Sequence, residues 1–291
     1  MTDERDLIEE VTRRVLADLS GRTDESCPDC RGGCAANCSD KVRSVVATGA
    51  TRVTYNGSGE EVPADLARWI DHTLLKPDAT ESQIDKLCDE ATQFGFASVC
   101  VNPVWVRRSV ANLRGSSVKV TSVVGFPLGA QAPEIKALET RRALRDGARE
   151  IDMVLNIGAL KGKDYGTVQK DIARVAEACR EVGATCKVIL ETGLLSDEEK
   201  VVASQLARAA KAHYVKTSTG FGHGGATVYD VALMREAVGP EMGVKASGGI
   251  KTADDIRDMV SAGATRIGAS AGVEIVTKAG GNSGGDSSGG Y

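Results

Sequence analysis

The sequence predicts an α/β protein built on a (β/α)8 TIM barrel, preceded by an amphipathic helix and a cysteine-rich extension. Three observations carry this. From about residue 63, short β-branched or apolar runs alternate with polar turns and Ala-rich helical stretches. Eight runs recur, WIDHTLL, ASVCVN, KVTSVVGF, EIDMVLNI, KVILETG, HYVKTST, GVKASGG and RIGASA, roughly 20 to 37 residues apart, which is room for one crossover helix each. No GxGxxG turn follows an early run, which disfavours the competing doubly wound open sheet.

The elements divide the chain into four parts. Residues 1–20 hold Leu7, Ile8, Val11, Val15, Leu16 and Leu19 at spacings of three and four, an amphipathic helix stopped by Gly21. Residues 21–62 form a small, polar, cysteine-rich connector containing a possible strand, TRVTY, and a turn-like NGSGEE. The barrel occupies residues 63–276. Residues 277–291 are a Gly/Ser tail with too little apolar surface to fold alone, ending in an aromatic residue, Tyr291.

Composition narrows the function classes. The chain has 291 residues, 42% hydrophobic and 26% charged, which excludes disorder throughout. A net charge of -4 gives no global attraction to nucleic acid or to an anionic membrane, so an anionic substrate must meet a local cationic site. No apolar run reaches the roughly 18 residues of a membrane span, and MTDERDLIEE lacks the order of a secretory signal, which predicts a cytoplasmic protein. Cys88, Cys100, Cys179 and Cys186 sit among apolar neighbours and read as small buried hydrophobes.

Functional groups of such barrels project from the C-terminal ends of the strands. Asp152 in EIDMVLNI, Lys216 in HYVKTST and Lys245 in GVKASGG each interrupt a run otherwise suited to burial. One lysine so placed is as readily a structural partner of a carboxylate. Two ammonium groups crowded in a partly desolvated mouth disfavour each other's charge, so one becomes a neutral amine able to attack a carbonyl. That is Schiff-base chemistry, with Asp152 placed to move protons. STGFGHGGAT, ASGGI and GASAG put backbone N–H groups near Thr219, Gly220, Gly248, Gly249 and Ser270, where barrels bind phosphate. Asp71, His72 and Thr73 end the first run and Cys100 and Asn102 the second, so all are candidates to line the same cavity. For His72 the expected role is a hydrogen bond that holds the barrel closed, with general acid/base catalysis as the alternative.

The motifs IDHTLLKP, ASVCVNP, VVGFPLG, EIDMVLNIGAL, VKTSTGF and VKASGGI resemble those of deoxyribose-phosphate aldolases, a class I aldolase family, over roughly residues 64 to 275. The resemblance implies a lyase that reversibly cleaves 2-deoxy-D-ribose 5-phosphate into D-glyceraldehyde 3-phosphate and acetaldehyde. It implies Lys216 as the Schiff-base nucleophile, Lys245 as the neighbouring cation that activates it, and Asp152 as an acid/base group working through water. It implies phosphate contacts from Gly220, Gly248, Gly249 and Ser270, with Cys100 and Asp71 as further substrate-binding candidates. No cofactor is implied for catalysis, since the iminium is the electron sink. Tyr291 is a candidate proton shuttle, because some members of the family end in a tail tyrosine that reaches the active site. The competing readings are a Schiff-base aldolase with a larger donor and an inactive barrel serving as a scaffold.

The extension departs from the family pattern. Residues 1–20 resemble the encapsulation peptides that target cargo into bacterial microcompartments, which predicts shell or cargo proteins as partners; packing on the barrel or between subunits of a homo-oligomer are the alternatives. Cys27, Cys30, Cys34 and Cys38 lie close enough to converge on zinc or an iron–sulfur cluster, with redox-sensitive thiols or disulfide cross-links as the other readings.

Overall fold

Eight parallel strands pair in sequence order and the eighth closes on the first. The computed structural model describes residues 66–222 and 224–281. A 3-10 turn, Leu66–Trp69, leads into β1 (Ile70–Leu74), followed by β2 (Ser98–Val101), β3 (Lys119–Val124), β4 (Glu150–Val154), β5 (Thr185–Ile189), β6 (Tyr214–Lys216), β7 (Gly243–Ser247) and β8 (Arg266–Ala269). The helices between them are α1 (Glu81–Phe94), α2 (Val106–Asn112), α3 (Pro133–Arg145), the short α4 (Ile157–Lys161) with α5 (Tyr165–Arg180), α6 (Asp197–Ala209), α7 (Val228–Val238) and α8 (Ala253–Ser261). The last, α9 (Gly272–Gly281), follows β8. Each of the eight runs read from the sequence falls on one strand, with β5 starting two residues before KVILETG. The expected helix at 1–20, the connector at 21–62 with Cys27, Cys30, Cys34 and Cys38, and Tyr291 lie outside the described residues.

Local chemistry sets the helix ends. Ser196 and Glu199 cap α6 reciprocally, the Glu199 N–H donating to Ser196 Oγ at 3.2 Å and the Ser196 N–H to Glu199 Oε2 at 2.9 Å. Thr252 and Asp255 do the same for α8. Gly95, at φ +68°, ends α1 in a left-handed turn that other residues adopt at a cost. Helix α9 continues past residue 276, where composition had placed the tail. Ile275 is buried and Glu274 pairs with Lys278 one turn on, which anchors the helix as it runs on to Gly281.

The strands bury both faces. Outward side chains such as Val99, Val120, Ile151, Val188, Val215, Val244 and Ile267 pack against Ile84, Ile172, Val175, Leu206, Val231 and Ile256 of the helices in one continuous core. This ring supplies the apolar burial that stabilises the domain. The inward face is polar instead, with Asp71, Ser98, Thr121, Glu150, Asp152, Lys187 and Lys245 all fully buried.

Outside the barrel, the Lys136 side chain of α3 reaches Asp171 of α5 at 2.5 Å and the Val154 carbonyl at the end of β4 at 2.9 Å. Its methylenes lie against Gly125, where an added Cβ would approach Lys136 Cε to 2.9 Å. Burial pushes Asp171 up and Lys136 down from their ordinary ranges, so each ion depends on the other. Lys136→Met should therefore lower stability by about 3–5 kcal/mol by urea unfolding, and adding Asp171→Leu should recover much of the loss.

Candidate active site

Strands β4, β6 and β7 bring the three charged residues read from the sequence to one point. Lys216 Nζ donates to Asp152 Oδ2 at 2.9 Å and Lys245 Nζ to the same oxygen at 2.8 Å. The register that pairs Lys216 with Lys245 on adjacent strands places both stems side by side. Lys245 reaches across the barrel because β8 presents Gly268 there, where a Cβ would lie 3.1 Å from Lys245 Cε.

Beneath this point lies a lattice that the sequence reading did not single out. Lys187 of β5 donates to Asp152 Oδ1 at 2.8 Å and pairs with Glu150 Oε2 at 2.6 Å. Asp71 accepts from Lys245 at 2.5 Å, from Arg266 at 2.7 Å and from Ser98 at 2.7 Å. Arg266 also reaches Glu150 at 3.3 Å, and Thr121 links Ser98 to Glu150. Asp71, expected at the substrate, thus has its carboxyl engaged within the lattice. Among the described residues, the interior lattice sets the basic side chains of Lys187, Lys216, Lys245 and Arg266 against three carboxyls, Asp71, Glu150 and Asp152. Lys187, Lys245 and Arg266 each touch two or more of these carboxyls, whereas Lys216 touches one.

The loops beyond β6 and β7 meet above the lysines. Gly220, Gly248 and Gly249 have φ of +84°, +90° and +80°. Among the described residues, none of the three donates its backbone N–H to another. Such free N–H groups in left-handed turns form anion-binding concavities. The Gly248 carbonyl accepts from Ala226 N at 2.9 Å, which docks the end of the β6–α7 loop on the β7–α8 turn. Ser270 follows β8, is exposed, and borders a cleft lined also by His72, Glu90, Val273 and Glu274.

Cys100 is fully buried beside Leu75, Val123 and Phe126. Burial pushes its thiol up and the Asp152 charge adds to this, which keeps it protonated and unreactive. His72 points away from the interior, toward Phe96 and Glu90, whose carboxyl lies 2.7 Å from its Nε2. His213 Nδ1 accepts from the Cys186 N–H at 3.0 Å at the opposite end of β6 from Lys216, and His223 lies outside the described residues.

The profile of the DeoC/LacD family aldolases matches residues 66–285. The chain belongs to this family, and it is an aldolase. It is 61% identical over 212 residues to the deoxyribose-phosphate aldolase of Lysinibacillus sphaericus, which covers 73% of this chain and 95% of that one. It is 59% identical over 214 residues to that of Thermococcus kodakarensis, covering 73% of this chain and 96% of the relative. The solved tetrameric deoxyribose phosphate aldolase of Aeropyrum pernix is similar with a TM-score of 0.70 at 34% identity, over 81% of this chain and 97% of that one. Among the described residues, no helix is long and apolar enough to cross a membrane.

The charge states of the aldolase interior follow from two opposed effects. Burial disfavours the Asp152 carboxylate, but Lys187, Lys216 and Lys245 outweigh it and hold the group well below the usual range. Against the same opposition, Lys245, Lys187 and Arg266 hold Asp71 down, and Lys187 does the most for Glu150. The carboxylates in turn keep Lys187 and Lys245 above the usual lysine range despite burial. Because Asp71, Glu150 and Asp152 are depressed, these three groups bind fewer protons in the folded state than in the unfolded chain in acid. This stability is complete above the unfolded carboxyl range of about pH 4 and is lost as pH falls through the native values. Unfolding free energy should therefore decline as pH drops from about 5, and Asp71→Asn, with one depressed carboxyl fewer, should show a shallower decline in urea titrations across that range.

Proposed function

We propose that this aldolase reversibly cleaves 2-deoxy-D-ribose 5-phosphate into D-glyceraldehyde 3-phosphate and acetaldehyde through a Schiff base on Lys216. The observation that carries this is the shared Asp152 oxygen, with Lys216 the lattice cation that touches a single carboxyl. The names of relatives about 60% identical supply the substrate.

The Lys216 amine adds to the C1 aldehyde of the open-chain sugar, and loss of water from the carbinolamine gives the iminium. Asp152, through a water, takes the proton of the C3 hydroxyl. The C2–C3 bond then breaks, its electron pair forming the enamine on Lys216 while C3 leaves as the aldehyde of the triose phosphate. Protonation at C2 and hydrolysis release acetaldehyde and restore the amine. Lys245, bridging Asp152 and Asp71, stays protonated and fixes the Asp152 carboxyl where the proton must pass. Gly220, Gly248, Gly249 and Ser270 receive the phosphate through backbone and hydroxyl donors. Tetrameric assembly of the Aeropyrum pernix relative supports a homo-oligomer here.

Incubation with acetaldehyde and borohydride should leave a reduced two-carbon adduct on Lys216 by peptide mass spectrometry. Lys216→Ala should abolish it, and Lys245→Met should lower kcat by about 10²–10⁴-fold. An adduct spread over surface lysines overturns the mechanism.

The extension is assigned to encapsulation, on the strength of the apolar stripe Leu7, Ile8, Val11, Val15 and Leu16. Residues 1–20 fused to a fluorescent reporter should co-localise with microcompartment shells; diffuse fluorescence in a shell-producing cell counts against this assignment. The thiols of Cys27, Cys30, Cys34 and Cys38 are assigned to zinc or an iron–sulfur centre without a catalytic part, and Tyr291 to proton transfer at C2.

A further inference from the structure

Glu191 combines strain, burial and an unusual set of partners. It follows β5 with φ +58° and ψ +62°, a left-handed conformation that is strained for a residue with a Cβ. The surrounding backbone enforces it. Leu190 N donates to the Lys216 carbonyl at 2.9 Å and Thr192 N to the Thr217 carbonyl at 3.0 Å, so the residues on either side are tied to the end of β6. The kink turns the Glu191 side chain into the β6–α7 loop, where it is 4% exposed.

There its carboxyl organises the turn that carries Gly220. Glu191 Oε2 accepts from the Thr219 N–H at 3.2 Å and from the Thr219 hydroxyl. The same hydroxyl accepts from the Phe221 N–H at 3.1 Å. Gly222 wraps so closely that an added Cβ would stand 3.0 Å from the Glu191 carboxyl carbon. The donors of Thr219 and Phe221 on either side are thereby consumed, and the Gly220 N–H between them has no acceptor among the described residues. Phe221 in turn meets Phe126 of the β3–α3 loop edge-on, with ring centroids 5.4 Å apart.

We propose that Glu191 is a positioning residue that fixes the Thr219–Gly222 turn so that the Gly220 N–H faces the substrate's phosphate. The strain stored at Glu191 is the cost of aiming a carboxyl at a loop whose own glycines would otherwise leave it many conformations. Glu191 makes no hydrogen bond to Lys216, Lys245 or Asp152, so its effect falls on phosphate binding and spares the bond-breaking step. This proposal rests on the reading of the glycine turns as the phosphate site.

The test compares 2-deoxyribose 5-phosphate with unphosphorylated 2-deoxyribose in the full-length protein. Glu191→Asn keeps a residue that tolerates the left-handed backbone but shortens the arm; Glu191→Gln keeps an acceptor oxygen in place; Thr219→Val removes the hydroxyl from the other side. Glu191→Asn should raise KM for the phosphorylated sugar by about tenfold while kcat stays within about threefold. Its kcat/KM on 2-deoxyribose should change by less than about twofold, Glu191→Gln should recover most of the loss, and Thr219→Val should reproduce the Asn pattern. Equal losses on both sugars, or no loss in either Glu191→Asn or Thr219→Val, overturn the role of Glu191. A wild-type protein with no preference for the phosphorylated sugar overturns the phosphate site itself, and the proposal with it.

Discussion

Asp152 accepts hydrogen bonds from the side-chain nitrogens of three buried lysines, and most of this barrel is arranged around that fact. Each partner comes from a different strand, β5, β6 or β7, and the lattice extends through Glu150 on β4, Asp71 on β1 and Arg266 on β8. None of these ions is tolerable alone in a water-poor interior, where an unpaired charge costs several kcal/mol. They are tolerable together because barrel closure brings six strands to one axis. The dependence runs both ways: the β1–β8 pairing that closes the sheet also sets Asp71 opposite Gly268 and beside Arg266.

This division of labour departs from the usual barrel, whose interior is filled by branched apolar side chains. Here the stabilising burial is moved outward, to the ring where strands meet helices, and the axis is left to electrostatics. The lattice is also graded along the strands. Glu150 and Arg266 are first residues of β4 and β8, at the closed end, while Lys216 is the last residue of β6, at the open end. Glu150 and Arg266 thus lie toward the start of the strands, and Lys216, level with Lys245 on the adjacent strand, lies toward their ends.

The sequence made the barrel legible because eight apolar runs recur at crossover spacing, and it made Asp152, Lys216 and Lys245 legible because each interrupts such a run. Lys187, Glu150 and Arg266 were passed over for a physical reason. They stand at or near the start of KVILETG, EIDMVLNI and RIGASA, where a charge reads as the solvated edge of a strand, yet their side chains turn inward to partners on other strands. Only the register decides between those outcomes. His72 illustrates period two: Asp71 points inward, so its neighbour must point to the helices, where Glu90 meets it. Glu191 was silent because no local pattern announces a left-handed backbone at a residue other than glycine or asparagine.

The count of charges bears on how such a lattice would host the proposed Schiff base without rearranging. With Lys216 as a free amine, three cations, Lys187, Lys245 and Arg266, face three carboxylates, Asp71, Glu150 and Asp152. In the proposed mechanism an iminium on Lys216 would restore the fourth positive charge at nearly the position of the ammonium, within reach of the same Asp152 oxygen, and the enamine would return the interior to neutrality. The proposed intermediates would then alternate between two charge states, and the fixed partners of Asp152 would not need to reorient as the bond breaks. On the proposed reading, phosphate recognition is left to the loops, where glycine turns are held in place by Glu191 and Ala226 above strands that keep their geometry.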